Sequence, residues 1–240
     1  NTQKGPLKNK KVRQALNYAY NYTAHNEQVM EGYAKRIKGP IPSNVPFHYE
    51  DVKVYHQDLE KAKELLAEAG YPGGGFKLDF AYLPVMNEQK GALTIFQTTC
   101  EKLGIEVEPR GMMWPTLVDT IKNEEKSPMV ASVYTYPNYP DPHAYVYSQF
   151  HCKFVGDWTN YSWYCNEELS ELLDKAVTTL DEDKRRKYYK EAQQIIQEEA
   201  PANFINRTVS RWSARSDVKG FEYTPAYHAC ANVYGIYKEE

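Results

Sequence analysis

Long apolar runs are absent: no stretch of about 18 apolar residues occurs in the 240-residue chain, which excludes a membrane-spanning helix. A basic excess is absent too. The 29 Lys and Arg stand against 32 Asp and Glu, a formal charge of −3, and that balance argues against a dedicated nucleic-acid binder. Cysteine is scarce, with four residues, too few for a disulfide-built scaffold. Leu, Ile, Val and Phe together number 47, about 20% of the chain, a level that borders on disorder. The small net charge opposes that reading, and 21 Tyr with 4 Trp supply large ring surfaces instead. The chain is expected to fold, as one large or two small domains.

The familiar enzyme signatures are missing as well. There is no phosphate-cradling Gly loop with Lys, no Gly-x-Ser-x-Gly elbow and no His-Glu-x-x-His. Gly73 to Gly75 precede a strand pattern instead of following one, so they form a turn. His143 and His151 lie eight apart, a spacing read as coincidence before a metal site. No cofactor is expected. Asn1 in place of Met, without a charged-then-apolar leader, reads as a processed or truncated chain.

What is present alternates helix and strand. Asn9 is placed to cap a helix to about Asn21, Thr23 a second that stops at Gly32, and Asp58 a third with Leu59, Ala62, Leu65, Leu66 and Ala69 inward. A Pro-rich connector separates the last two. Phe76, Leu78, Phe80 and Tyr82 alternate as in a half-buried strand. A helix from Asn87 to Leu103, a strand at Ile105 and Val107, a helix opened by Pro115 and a strand from Met129 to Tyr136 follow. This order implies an α/β fold with a mixed, mostly parallel sheet flanked by helices. Asn166 caps the next helix, and another follows Asp183 with Tyr188, Ala192, Ile195 and Ile196 inward. The tail from Phe204 reads as strands and turns.

Two stretches draw attention. Tyr134 to Tyr147 follows a strand and holds five Tyr, three Pro, Asn138, Asp141 and His143. Loops at the carboxyl ends of parallel strands bind ligands, and prolines reduce the entropy lost on binding. The plainer reading is a Pro-rich connection in which Asp141 and Pro142 start a helix. Cys152 and Cys165 bracket an aromatic loop that lacks a core of its own. They are either two unrelated thiols or a bridge worth roughly 3 kcal/mol, which would imply an oxidising compartment. Cys100 falls on the stripe of Leu93, Phe96 and Leu103 as a buried thiol, and Cys230 has no evident partner.

The opening NTQKGPLKNKKVRQALNYAYN resembles the second lobe of the family 5 extracellular solute-binding proteins, the dipeptide, oligopeptide and nickel group of ABC importers. The resemblance continues through DLEKAKELLAEAGY, Trp114, the Pro140 to Pro142 PDP, NEELSELLDKA, DEDKRRKYYKEAQQIIQEEAP and VKGFEYTP. It implies a periplasmic-binding-protein-like lobe of type II, cluster C. Residues 1–206 would form the second, carboxyl-terminal lobe, and 207–240 a tail that crosses back to the first. It also implies a monomeric periplasmic or extracellular binding component that delivers a solute to permease subunits, with an anchor through a missing N-terminal segment. Peptide binders of this family use a disulfide near the loop, which fits Cys152 with Cys165.

One departure bears on the ligand. Peptide-binding members carry an acid four residues before the proline of the Asp-Pro pair, and here that residue is Asn138. An arginine used for peptide carboxylates corresponds to Ile121. Asn138 would orient polar ligand groups, with Tyr134, Tyr136, Tyr139 and Trp114 as ring contacts and Asp141 and His143 fixing the loop or touching ligand. An oligosaccharide or other neutral compound is expected marginally ahead of a peptide. The alternatives are a secreted or periplasmic hydrolase using two cleft carboxylates, and a Tyr-rich protein-interaction module.

Overall fold

Asn9 caps the first helix as expected, its side-chain oxygen accepting from Lys11 N at 2.9 Å, and Lys10–Ala19 (α1) buries Val12, Ala15, Leu16 and Ala19. The computed structural model describes residues 1–135, 139–209, 213–222 and 233–239. Cys230 lies outside them. The second short helix starts differently from the sequence reading. Asn21, not Thr23, accepts from Ala24 N at 2.9 Å and caps the turn Tyr22–Ala24. The wider turn His25–Val29 follows, and the backbone reverses at Glu31 and Gly32, both at positive φ.

The third helix, Leu59–Glu68 (α2), takes its cap from Asp58, which accepts from Lys61 N at 2.8 Å. Lys77–Tyr82 (β2) then pairs in parallel with Glu106–Gly111 (β3) on one side and Val130–Ala131 (β4) on the other. The short strand Ala34–Arg36 (β1) lies in a separate sheet. Asn87–Glu101 (α3) and Trp114–Ile121 (α4) are the intervening helices. Gly73 to Gly75 form the expected turn. Gly74 has φ +71, and an added Cβ would sit 2.2 Å from Leu103 O, so only glycine fits.

The half-buried reading of β2 needs correction. Leu78 and Phe80 face Leu93 and Phe96 in the main core, but the opposite face is covered as well, with Ala81 packed on Leu117 and Ile121. The expected strand from Met129 to Tyr136 is also shorter. Its last ladder bond is Ser132 N to Ala81 O, at 3.0 Å. Beyond Tyr82 the Leu83 N–H turns to Gln89 Oε1 at 2.7 Å, so no partner edge continues.

A second core forms from His143–Phe150 (α5), Glu167–Thr178 (α6) and Glu182–Glu199 (α7). Asn166 caps α6 through Leu169 N at 2.8 Å. Helix α7 begins earlier than expected, because Asp181 accepts from Lys184 N at 3.0 Å. Its inward face is also turned: Tyr189, Ala192, Gln193 and Ile196 are buried, while Tyr188 and Ile195 are only half-buried. The two buried glutamines hold the Pro-rich connector. Gln193 Nε2 donates to Phe47 O at 3.0 Å, and Gln197 Nε2 donates to Lys53 O at 2.7 Å and to Lys38 O.

Near the end, Asn206–Thr208 (β5) pairs antiparallel with β1, Ala34 opposite Thr208. Val218–Lys219 (β6) and Tyr237–Lys238 (β7) form another antiparallel pair. Among the described residues no helix is long and apolar enough to cross a membrane.

Candidate functional site

The chain leaves β4 at its carboxyl end and enters the Tyr-rich segment. A cleft of about 340 Å³ opens there, walled by Trp114, Tyr134, Tyr139, His143, Trp158 and Tyr161. Trp114 is the first residue of α4, with Pro115 setting the first turn. Tyr139 lies in the loop four residues before His143, the first residue of α5. The Tyr139 hydroxyl and His143 Nδ1 are 2.6 Å apart, and the two rings stack. The i, i+4 column continues through Tyr147 and His151, with ring centroids 4.6 and 5.0 Å apart.

Asp141 fixes the loop. Its carboxylate accepts from His143 N at 2.9 Å and from Arg185 on α7 at 2.9 and 3.1 Å. Those bonds use much of its accepting capacity. Tyr136 and Asn138 lie outside the described residues, so four of the expected ring and loop residues, Trp114, Tyr134, Tyr139 and His143, meet in the cleft.

The other wall is the loop between the cysteines. Cys152 and Cys165 form a disulfide, Sγ to Sγ 2.05 Å. Trp163 anchors the loop by donating from Nε1 to Ile121 O at 2.9 Å, and Asn160, fully buried, donates to Tyr164 O at 2.9 Å. These anchors present Trp158 and Tyr161. Trp158 lies 5.7 Å from Trp114 at 86°, and 6.3 Å from Tyr161 at 80°. Sequence reasoning did not single out Trp158 or Tyr161; the aromatic richness of the loop was the available signal.

The cleft is electrically quiet. Burial lowers the His143 pKa, with Asp141 opposing, which favours the neutral ring. Burial, and then Asp157, push the Tyr161 hydroxyl up to about 12. Among the described residues no Asp, Glu, Lys or Arg side chain lines the cleft. A hydrolase built on two cleft carboxylates finds no such pair there. Among the described residues the His, Cys, Asp and Glu group close enough to share an ion is Cys152, Cys165 and Glu167, and both sulfurs are spent in the disulfide. His151 accepts from Lys153 N at 3.0 Å and faces Asp174 at 3.3 Å, so it does not join His143. Cys100 is buried and its thiol is pushed up to about 12 by burial.

Comparison with known proteins shows what the chain is similar to. A model of the bacterial extracellular solute-binding proteins, family 5 (middle), matches residues 1–157. Heme-binding protein A of Haemophilus influenzae is 31% identical over 230 residues, covering 94% of this chain and 41% of that protein. The dipeptide-binding protein of Escherichia coli is 32% identical over 229 residues, covering 94% and 42%. Among solved structures, HbpA2 of Haemophilus parasuis gives a TM-score of 0.87 at 28% identity. A dipeptide-binding protein of Pseudoalteromonas in complex with Met-Leu gives 0.87 at 26%. Each alignment covers 100% of this chain and 47% of the other. The fold is that of the periplasmic binding proteins, and the chain spans less than half the length of these relatives.

Proposed function

This chain belongs to the bacterial extracellular solute-binding proteins of family 5, and we propose that it is the ligand-closing lobe of an importer's binding component. Residues 1–206 form that lobe, and 207–240 lead back toward the first lobe. The protein captures a short peptide or peptide-like solute outside the cytoplasm, closes by a hinge and docks on its permease. A disulfide suits that compartment.

The observation that carries this reading is the position and lining of the cleft. It sits beyond the carboxyl end of a parallel sheet, with uncharged aromatic walls and a few hydroxyl and amide groups, a lining typical of small-molecule sites. Tyr136 and Asn138 stay in the proposal as ligand contacts on the sequence resemblance alone. Peptides rank ahead of the oligosaccharide expected from the sequence, because peptides are what the E. coli relative is named for and what the Pseudoalteromonas structure holds.

Thermal unfolding of the full chain against peptide and oligosaccharide pools tests this. A ligand at a hundred times its Kd adds about 2.7 kcal/mol, enough to raise Tm by a few degrees. A shift with peptides is expected. A shift with oligosaccharides alone overturns the peptide assignment, and turnover of either pool overturns the binding role.

A further inference from the structure

Trp114 and Trp158 meet at 86° and Trp158 and Tyr161 at 80°, so three successive rings make a folded, near-perpendicular wall. Tyr139 lines the same cleft from the loop before α5, and Trp114, Trp158 and Tyr139 are each about two-fifths exposed, at 42%, 38% and 44%. Aromatic rings carry negative faces and positive edges, and a cleft walled by several partly exposed rings offers a cation whichever faces their edge-to-face contacts leave open. Such a cleft attracts a cation without any formal negative charge.

The kind of cation follows from what the wall lacks. A primary ammonium brings three N–H donors and is held best where an ionised carboxylate is among its acceptors, beyond neutral hydroxyl and amide oxygens. No carboxylate lines the cleft among the described residues, and residues 136–138, Tyr-Pro-Asn, add none by sequence. The nearby carboxylates already accept from protein donors. Asp141 accepts from Arg185 and His143 N, and Asp157 accepts from Thr159 N at 2.8 Å. A fully alkylated ammonium has no N–H to satisfy and keeps its charge. We infer that the Trp114–Trp158–Tyr161 corner is a seat for a quaternary ammonium group, the amine end of a methylated peptide or a betaine-like solute. The inference rests on the solute-capture reading and names the chemistry of one end of the solute.

Calorimetric titration of the full chain with three matched probes tests it: glycyl-leucine, its N,N,N-trimethyl derivative and its N-acetyl derivative. The trimethyl probe is expected to bind about tenfold or more tightly than either of the others. Trp158→Ala should erase that advantage, and Trp158→Phe should keep most of it. Equal binding by the N-acetyl probe would show an apolar corner with no preference for charge, and would overturn the inference. Equal or tighter binding by glycyl-leucine would overturn it too, while leaving solute capture intact. If none of the three binds, the quaternary-ammonium seat falls, and the peptide-pool shift alone decides the capture reading.

Discussion

Arg185 on α7 places one guanidinium nitrogen 2.9 and 3.1 Å from the two carboxylate oxygens of Asp141. The pair ties a helix of the second core to the loop that presents Tyr139 and His143. Its members are 27% and 29% exposed, so neither charge is fully desolvated and the coupling stays modest. Arg185→Ala and Asp141→Asn are each expected to cost about 1 kcal/mol, with the double variant costing less than the sum. A double-mutant cycle by urea denaturation measures this. Strict additivity would mean that the two residues do not hold the loop together.

The cystine should matter more than any single side chain in its loop. Replacing Cys152 and Cys165 together by Ser is expected to cost roughly 3 kcal/mol, because the unfolded chain regains the freedom of a closed loop. Trp158 rides on that loop, so its fluorescence should also move toward that of a solvated indole. Reducing agent should reproduce both changes in the natural chain and leave the Ser variant unaffected.

Gln197 is 3% exposed and its amide nitrogen serves two backbone carbonyls of the connector, Lys38 O and Lys53 O. Gln197→Leu keeps the volume but strands both acceptors. A loss of about 2 kcal/mol or more is expected. Hydrogen exchange should quicken across residues 37–55, since the Tyr55 hydroxyl also donates to Gln197 O at 2.9 Å. A variant as stable as the natural chain would mean that the connector is held by its apolar contacts alone.

His25 gives the fold a pH dependence. Burial, and secondarily Arg36, lower its pKa from 6.5 to about 4. Between those values the unfolded chain binds a proton that the folded chain refuses, so stability rises with pH across the window and is lost as pH falls through it. The change is on the order of 3 kcal/mol. His25→Phe should cost about 1 kcal/mol at pH 7, through the lost contact with the Tyr20 hydroxyl at 2.7 Å, yet flatten the slope between pH 4 and 6.5. An unchanged slope would assign the dependence to other groups.

Helix starts at Asn9, Asp58 and Asn166 were legible because a cap is a bond between residues two or three apart. Asp181 and Asp183 offer the same chemistry two positions apart, and only the chain's path from α6 selects the first. Gln193 and Gln197 were not legible at all. Their burial depends on a connector some 140 residues away in sequence, Phe47 and Lys53, whose carbonyls need donors. The cleft divides in the same way. Trp114, Tyr134, Tyr139 and His143 stood out by composition and position. Trp158 and Tyr161 come from a loop that a disulfide and Trp163 fold against α4, and Arg185 reaches Asp141 from 44 residues downstream.

The pairing of β1 with β5 sets an order of events during synthesis. Ala34 to Arg36 are made long before their partners Thr208 to Asn206, so β1 has no strand to pair with until most of the chain exists. Through that interval it is an open edge, and open edges invite pairing with other chains. Two of its three residues, Lys35 and Arg36, are cations, which suits a strand that must remain solvated while it waits. The ladder that joins the start of this chain to its last quarter can therefore close only after the α7 segment has been synthesised.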